Sequence, residues 1–168
     1  MSAAESLESL AERLGAALAL RGWRVVTAES CTGGGIAETI TRIAGSSQWF
    51  EQGFVPYTDA AKQAQLDVPV ETLETHGAVS AAVVEALVTG ALTHGNGELA
   101  VAVSGIAGPG GGMPAKPVGT VWLACARRGA PPEAQCFQFE GERTAVRDAT
   151  IRVALEALIV QADGGEHP

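Results

Sequence analysis

The chain has 168 residues, of which 46% are hydrophobic and 18% are charged, and its formal net charge is −8. This length and apolar content predict one compact domain over residues 1–168, with a sizeable core and a frayed tail from about residue 162. The acidic balance argues against a general nucleic-acid binder, which would present a basic face. It leaves room for one small anionic ligand held by local donors, so we expect a small-molecule partner and no nucleic acid.

Cysteine and histidine are scarce. The three cysteines, Cys31, Cys125 and Cys136, have no CxxC spacing, and there are only three histidines, so the sequence predicts no metal site. A sparse, odd set of cysteines is typical of a reducing cytosol. The first residues lack the basic and apolar segments of a signal peptide, and no apolar run has the length of a membrane span. We therefore predict a cytoplasmic protein without membrane contact.

Helical and strand patterns alternate along the chain. Leucines at helical spacing predict a first helix from residue 7 to about 20, with Ser2 and Glu5 as its capping box and Gly22 as its end. The later helical patterns cover about 32–43, 59–66, 70–75, 80–93 and 142–161. The strand patterns cover 23–28, 50–57, 99–103, 118–126 and 135–139, of which the last two resemble a hairpin. This order predicts an α/β fold, a three-layer α/β/α sandwich with a mixed β-sheet in a single domain.

The first of two glycine-rich loops spans residues 29–35, between a predicted strand and a predicted helix. Free backbone N–H groups at a helix N-terminus favour phosphate or carboxylate. Ser30 and Thr32 add hydroxyl groups, and Gly33 and Gly34 allow close approach, so these four residues are candidates for substrate binding. A tight turn with glycines for packing explains the pattern equally well. The loop does not match the Walker A motif.

The second glycine-rich loop spans residues 104–112 and directly follows a buried strand. It is longer and richer in glycine than a simple connection needs. A cradle for a ligand is therefore favoured over a flexible surface loop, with Ser104, Gly105, Ala107 and Gly108 as candidate binding residues.

The segment from Gly45 to Lys62 contains the parts of a serine nucleophile with a lysine base. Lys62 is one of only two lysines, whereas the other nine cationic residues are arginines. Lysine can lose its proton near neutral pH when it is desolvated, and arginine cannot. Ser46 and Ser47 supply hydroxyl groups, and Tyr57 is the only tyrosine. On the pattern alone, a solvated lysine and two turn serines are the more common interpretation.

Two arginines, Arg143 and Arg147, lie four residues apart at the start of the last predicted helix and so share one face. They could bind a phosphate together. Ordinary surface ion pairs with neighbouring carboxylates are the default alternative.

Five motifs in order carry a resemblance to a known family: TAESCTGG at 27–34, IAGSSQWFEQGFVPYTDAAK at 43–62, THGAVS at 75–80, SGIAGPGGG at 104–112 and KPVGTVWLA at 116–124. Together they resemble the CinA C-terminal-domain family and, within it, the stand-alone nicotinamide-nucleotide amidases. The resemblance covers about residues 5–160.

The resemblance implies hydrolysis of nicotinamide mononucleotide to nicotinate mononucleotide and ammonia, in the recycling of pyridine nucleotides toward NAD and with no cofactor. It implies Ser47 as nucleophile, Lys62 as base and Tyr57 in the proton path, and the choice of Ser47 over Ser46 depends on it. The substrate-binding positions that it implies are Ser30, Ser104 and Arg143.

Other functions stay open at this point. The chain could be a family member without catalysis, acting as a nucleotide sensor or as a protein partner in competence or recombination, or an amidase for another small amide. We expect a homo-oligomer, with a dimer as the first form to test.

Overall fold

A computed structural model describes residues 3–164 of the chain. The predicted capping residue Ser2 and the end of the predicted frayed tail, residues 165–168, lie outside this range. The described part contains six α-helices and five β-strands. In chain order they are α1 (Leu7–Arg21), β1 (Val25–Glu29), α2 (Gly35–Thr41), β2 (Phe50–Phe54), α3 (Asp59–Leu66), α4 (Val70–His76), α5 (Ala81–His94), β3 (Leu99–Gly105), β4 (Thr120–Arg127), β5 (Glu133–Gln138) and α6 (Arg143–Ala162), with a short 3-10 turn (Ser46–Gln48) before β2.

The five strands form one mixed sheet in the order β2-β1-β3-β4-β5. β1 runs parallel to both β2 and β3, whereas β4 runs antiparallel to β3 and to β5. The predicted mixed sheet and the predicted hairpin of the last two strands are therefore confirmed.

The helices cover both faces of this sheet. Helices α1, α2 and α6 pack on the face that carries Leu99, Val101 and Val103 of β3, and α3, α4 and α5 pack on the face that carries Ala100 and Ala102. Successive residues of a strand point to opposite faces, which explains this division of β3. The structure thus confirms the predicted α/β/α sandwich.

The helix that carries Lys62 has well-defined ends. Thr58 caps α3, because its hydroxyl oxygen accepts a hydrogen bond from the N–H of Ala61 at 3.1 Å, and the left-handed Asp67 (φ 58°) ends the helix. Leu66, on the inner side of α3, lies against Gly90 of α5, where an added Cβ would overlap the Leu66 carbonyl. The close contact holds α3 against α5 and turns Lys62 inward.

Several predicted boundaries differ from the structure, and three of these differences have a clear local cause. Helix α2 begins at Gly35 because Gly33 (φ 59°) and Gly34 (φ 97°) have left-handed backbone. Strand β2 ends at Phe54, ahead of Pro56, which lacks the N–H that a strand ladder needs. The cap of α1 is Ser6, whose hydroxyl accepts from the N–H of Ser9.

The topology creates a crevice beyond the carboxyl ends of β1 and β3. From β1 the chain crosses to β2 through α2 on one face, and from β2 it reaches β3 through α3, α4 and α5 on the other. In open α/β sheets, ligands bind where the connections diverge in this way. Among residues 3–164, no helix combines the length and the hydropathy that a membrane span requires.

Candidate active site

A cavity of about 200 Å³ opens at the carboxyl ends of β1 and β3. It lies between the residues that follow β1, β2 and β3, the first turns of α3 and the start of α6. Its wall includes Ser30, Tyr57, Lys62, Ser104, Ala107 and Arg143. Gly105 also lines this cavity, so the tertiary structure brings together seven of the candidate site residues that the sequence singles out.

Lys62 and Ser30 form the polar centre of this cavity. Lys62 is 1% exposed. Its Nζ lies 3.1 Å from Ser30 Oγ and 3.0 Å from the carbonyl oxygen of Tyr57. Burial lowers the pKa of Lys62 below its ordinary value of 10.5, against the opposing effects of Asp59 and Cys31. A buried amino group with a lowered pKa next to a serine hydroxyl is the arrangement that activates a serine.

The expected pairing of Ser47 with Lys62 does not form within the chain. Ser47 is exposed on the 3-10 turn that precedes β2, and the N–H of Val25 donates to the carbonyl of Trp49 at 2.8 Å, so this turn lies at the amino ends of β1 and β2. Lys62 lies beyond the opposite end of β2. Five strand residues at about 3.3 Å each separate the two ends by about 16 Å. The hydroxyl beside Lys62 is that of Ser30, which we expected only to bind substrate.

Tyr57 contacts Lys62 through its backbone and not through its phenol. Its carbonyl oxygen accepts from Lys62 Nζ, and Ser30 Oγ lies 3.3 Å from the same oxygen. The side chain is 53% exposed, and its Oη accepts from Arg143 Nη2 at 3.0 Å. Within residues 3–164 of one chain, the phenol of Tyr57 therefore does not connect Ser47 with Lys62.

The two arginines of α6 contact the two glycine-rich loops. Arg143 Nη1 donates to the carbonyl of Gly108 at 2.9 Å. Arg147 donates through Nε to the carbonyl of Cys31 at 3.1 Å and through Nη2 to that of Thr32 at 3.0 Å. Neither arginine forms a salt bridge in the part of the chain that the structure describes. The default interpretation as surface ion pairs is therefore wrong.

The first glycine-rich loop already holds an anion, the carboxylate of Glu29. This side chain is fully buried and accepts three hydrogen bonds, from Thr32 Oγ1 at 2.6 Å and from the N–H groups of Ile36 at 2.7 Å and Ala37 at 3.1 Å. Burial raises the pKa of the Glu29 carboxyl above its ordinary value, whereas these hydrogen bonds oppose the rise. The donors at the start of α2 are thus occupied by the protein itself.

This arrangement changes the expectation for three residues of the first loop, Thr32, Gly33 and Gly34. Thr32 is fully buried, and its hydroxyl group donates a hydrogen bond to Glu29. None of Thr32, Gly33 and Gly34 lines the cavity. Only Ser30 and Cys31 of this loop reach it. Sequence reasoning missed Glu29, although an acidic residue at a strand end, a few residues before a helix N-terminus, is a signal for such an internal cap.

The second glycine-rich loop does line the cavity. Gly105 and Ala107 form part of the wall. Ile106 anchors the loop to the start of β4, because its N–H donates to the Thr120 carbonyl at 2.9 Å and its carbonyl accepts from the N–H of Gly119 at 2.7 Å. A further cavity of about 450 Å³ adjoins the first and shares Ala107 and Arg143 with it, while Gly108 lines only this larger space.

Cys31 also lines the first cavity, but its environment disfavours the thiolate. Burial raises the pKa of the Cys31 thiol to about 11. At neutral pH the thiol is protonated, so it is a weak nucleophile. Among residues 3–164, no three His, Cys, Asp or Glu side chains are grouped so that they could hold a metal ion.

Residues 7–161 match the family model described as the CinA C-terminal domain. The chain belongs to this family. It is 53% identical over 155 residues to nicotinamide-nucleotide amidohydrolase PncC of Pseudomonas putida, a match that covers 92% of this chain and 96% of that protein. The PncC protein of Escherichia coli strain K12 is 51% identical over 154 residues, which cover 90% of this chain and 92% of that protein.

A solved structure shows the same fold. The competence/damage inducible protein CihA of Agrobacterium tumefaciens superposes with a TM-score of 0.90 at 46% identity, covering 95% of this chain and 98% of that chain. The family resemblance and the fold class inferred from the sequence are both confirmed for this CinA C-terminal domain.

Proposed function

We propose that this chain is an amidohydrolase that converts nicotinamide mononucleotide to nicotinate mononucleotide and ammonia, in the recycling of pyridine nucleotides. The observation that carries the proposal is the buried amino group of Lys62 beside the hydroxyl of Ser30, inside the cavity at the carboxyl ends of β1 and β3. The names of the two curated relatives point to the same substrate class. The homo-oligomeric state and the cytoplasmic location stay predictions.

In this proposal Ser30 is the nucleophile and Lys62 is the base. Neutral Lys62 takes the proton of Ser30 as Oγ forms a bond to the carboxamide carbon. The tetrahedral intermediate collapses with cleavage of the C–N bond, and Lys62 returns the proton to the leaving nitrogen, so that ammonia departs. Water then attacks the acyl-enzyme, its proton passes through Lys62 back to Ser30 Oγ, and the nicotinate carboxyl group is released.

The second glycine-rich loop is the candidate oxyanion hole. The N–H group of Ala107, which lies in the wall of the cavity, donates no hydrogen bond to any of residues 3–164. Preorganised N–H donors that meet the developing negative charge typically contribute about 3–4 kcal/mol each to the transition state. Ser104, which is 2% exposed in the same wall, is placed to bind the carboxamide.

The substrate's phosphate is assigned to Arg143 and the adjoining larger cavity. The N–H donors at the start of α2 are occupied by Glu29, which leaves the second glycine-rich loop and α6 as the electropositive side. Arg143 borders both cavities, and a guanidinium can bind phosphate oxygens through two parallel hydrogen bonds. The carboxamide end therefore faces Ser30 while the phosphate end lies beyond Arg143.

The first test is ammonia release by the wild-type chain from nicotinamide mononucleotide, nicotinamide and simple amides. Release from nicotinamide mononucleotide alone supports the proposal. Binding of this nucleotide without release would indicate a sensor, and preference for another amide would replace the substrate.

A pair of serine variants tests the assignment of the nucleophile. We expect Ser30→Ala to lower kcat by at least about a thousandfold, because removal of a nucleophile leaves only binding and electrostatic stabilisation. Ser47→Ala is the matched control and keeps wild-type turnover. Loss of activity in Ser47→Ala, with Ser30→Ala active, would contradict the assignment and would mean that Ser47 enters the site from a second copy. Lys62→Arg is expected to be inactive, because its guanidinium stays protonated.

A further inference from the structure

We propose that Glu29 and Arg147 are paired positioning residues, which bind the donors and the acceptors of the segment that follows Ser30 and so fix Ser30 Oγ against Lys62. This inference depends on the proposed function. Neither side chain lines the cavity, so both would act through Ser30 and not on the substrate.

Glu29 accepts hydrogen bonds from N–H groups in the first turn of α2, just after the first glycine-rich loop. Its two carboxylate oxygens accept from the N–H groups of Ile36 and Ala37, and Oε1 also accepts from Thr32 Oγ1. Because Glu29 directly precedes Ser30, these contacts connect the end of β1 to the first turn of α2. The two ends of the loop are thereby held together by the Glu29 carboxylate, which is fully buried.

Arg147 holds the carbonyl groups of the same loop. Its guanidinium bridges the carbonyls of Cys31 and Thr32, the two residues that follow Ser30. It also passes close to Gly33, where an added Cβ would lie 3.5 Å from Nη2. The arginine is half-buried and points from α6 across the sheet edge, so it connects the loop to a long, well-packed helix.

The two contacts are complementary and leave Ser30 with little freedom. The carboxylate accepts from donors of the segment that follows Ser30, and the guanidinium donates to carbonyl groups of the same segment. The N–H of Ser30 itself donates to the carbonyl of Val103 on β3 at 3.1 Å. Catalysis by a serine and a base is sensitive to such positioning, because a misplacement of about 1 Å can cost about a hundredfold in rate.

The test is a double-mutant cycle in the steady-state kinetics of nicotinamide mononucleotide hydrolysis. Glu29→Gln keeps the shape of the side chain but supplies an N–H where Ala37 or Ile36 needs an acceptor, and Arg147→Met removes the bridge between the two carbonyls. We expect each change to lower kcat by about 10- to 100-fold and to leave KM within about twofold. The double variant should lose less than the product of the two single losses, because both residues hold one loop.

Three further readouts separate positioning from general damage. Glu38→Gln on α2 and Arg152→Met on α6 are matched controls, and both should keep wild-type kcat. Arg147→Lys retains a donor for one carbonyl and should recover part of the loss. The midpoint of the pH dependence of kcat/KM should not move. The pKa of Lys62 is set by its burial and by Asp59 and Cys31, and the substitutions leave all of these unchanged.

The outcomes are distinct from those of the proposed function. If the wild-type chain releases no ammonia, the proposed function fails. If the wild type is active and Arg147→Met keeps kcat within twofold, or raises KM at unchanged kcat, the positioning role is refuted. If Glu29→Gln does not fold, the Arg147→Met and Arg147→Lys pair decides alone, because Arg147 is half-buried and its removal leaves the core intact.

Discussion

Replacement of Lys62 by methionine should abolish turnover and stabilise the fold. Lys62 is among the largest fully buried side chains of the described residues. Burial lowers its pKa against the opposing effects of Asp59 and Cys31, so the site disfavours the charged form. Methionine has a similar length and no charge. After the change, the Ser30 hydroxyl can still donate to the Tyr57 carbonyl at 3.3 Å, so both groups keep a hydrogen-bond partner.

The expected gain for Lys62→Met at pH 7 is about 1–3 kcal/mol in the free energy of unfolding. That range is the usual cost of a buried polar group in protein mutational data. The observed hydrogen bonds keep the cost from being larger, since each typically contributes about 1 kcal/mol. Stability gained at the expense of activity is common where a catalytic group is buried.

The gain should depend on pH in a defined direction. Between the lowered pKa of folded Lys62 and its ordinary value of 10.5, the unfolded chain binds more protons than the folded chain. The unfolding free energy of the wild type therefore rises with pH through this window. Below the folded pKa the ionisation part of the deficit relative to Lys62→Met is complete, and this part is lost as pH rises to 10.5 and above. Other groups titrate equally in both proteins and cancel in the difference.

Urea unfolding of both proteins at several pH values between 7 and 10.5 measures this difference. Lys116→Met is the control, because the Lys116 amino group lies at the surface on the His76 carbonyl, and we expect a change below about 1 kcal/mol there. The reasoning is refuted if Lys62→Met is less stable than the wild type at pH 7, or if the gap between them does not narrow as pH rises.

Three further predictions concern the wall of the cavity and its support. Arg143→Met should raise KM for nicotinamide mononucleotide at least about tenfold through loss of the phosphate contact, and an unchanged KM in steady-state assays would contradict this. Cys31→Ala should keep kcat within about threefold, and iodoacetamide at pH 7 should leave the wild type active, since the thiol pKa is about 11. Gly90→Ala should lower the free energy of unfolding by about 1–3 kcal/mol, because the new Cβ overlaps the Leu66 carbonyl; Gly110→Ala, with open space around it, is the control for thermal unfolding.

Local patterns were sufficient for most elements of the fold. The bounds of α3 agree with the prediction at both ends, and Ser80 caps α5 as expected, because a capping hydroxyl and an apolar periodicity act over a few residues. The boundaries of α2 and β2 differ by about three residues, at left-handed glycines in one case and at Pro56 in the other. Both errors come from single residues that override a longer pattern.

The contents of the site were partly predictable. Lys62 was identified from its rarity and from the chemistry of lysine, and it is buried in the cavity. Ser104 and Arg143 were assigned by resemblance and line the same space. Arg147 acquires its contacts with the first glycine-rich loop only when α6 packs beside it, so local sequence could not assign it a partner. The partners of Glu29 lie within eight residues of it in the chain.

The sequence by itself determined the α/β alternation, the two glycine-rich loops and an unusual lysine, because these depend on residue type and short spacing. The choice of hydroxyl for Lys62 depended on the tertiary structure. Ser47 lies near Lys62 in the sequence, but β2 runs between them, so Ser47 lies at the amino ends of the parallel strands and Lys62 lies at their carboxyl ends. Ser30 lies 32 positions from Lys62 in the sequence, yet its Oγ is 3.1 Å from Lys62 Nζ. The two residues meet because the carboxyl ends of the adjacent parallel strands β1 and β2 lie side by side.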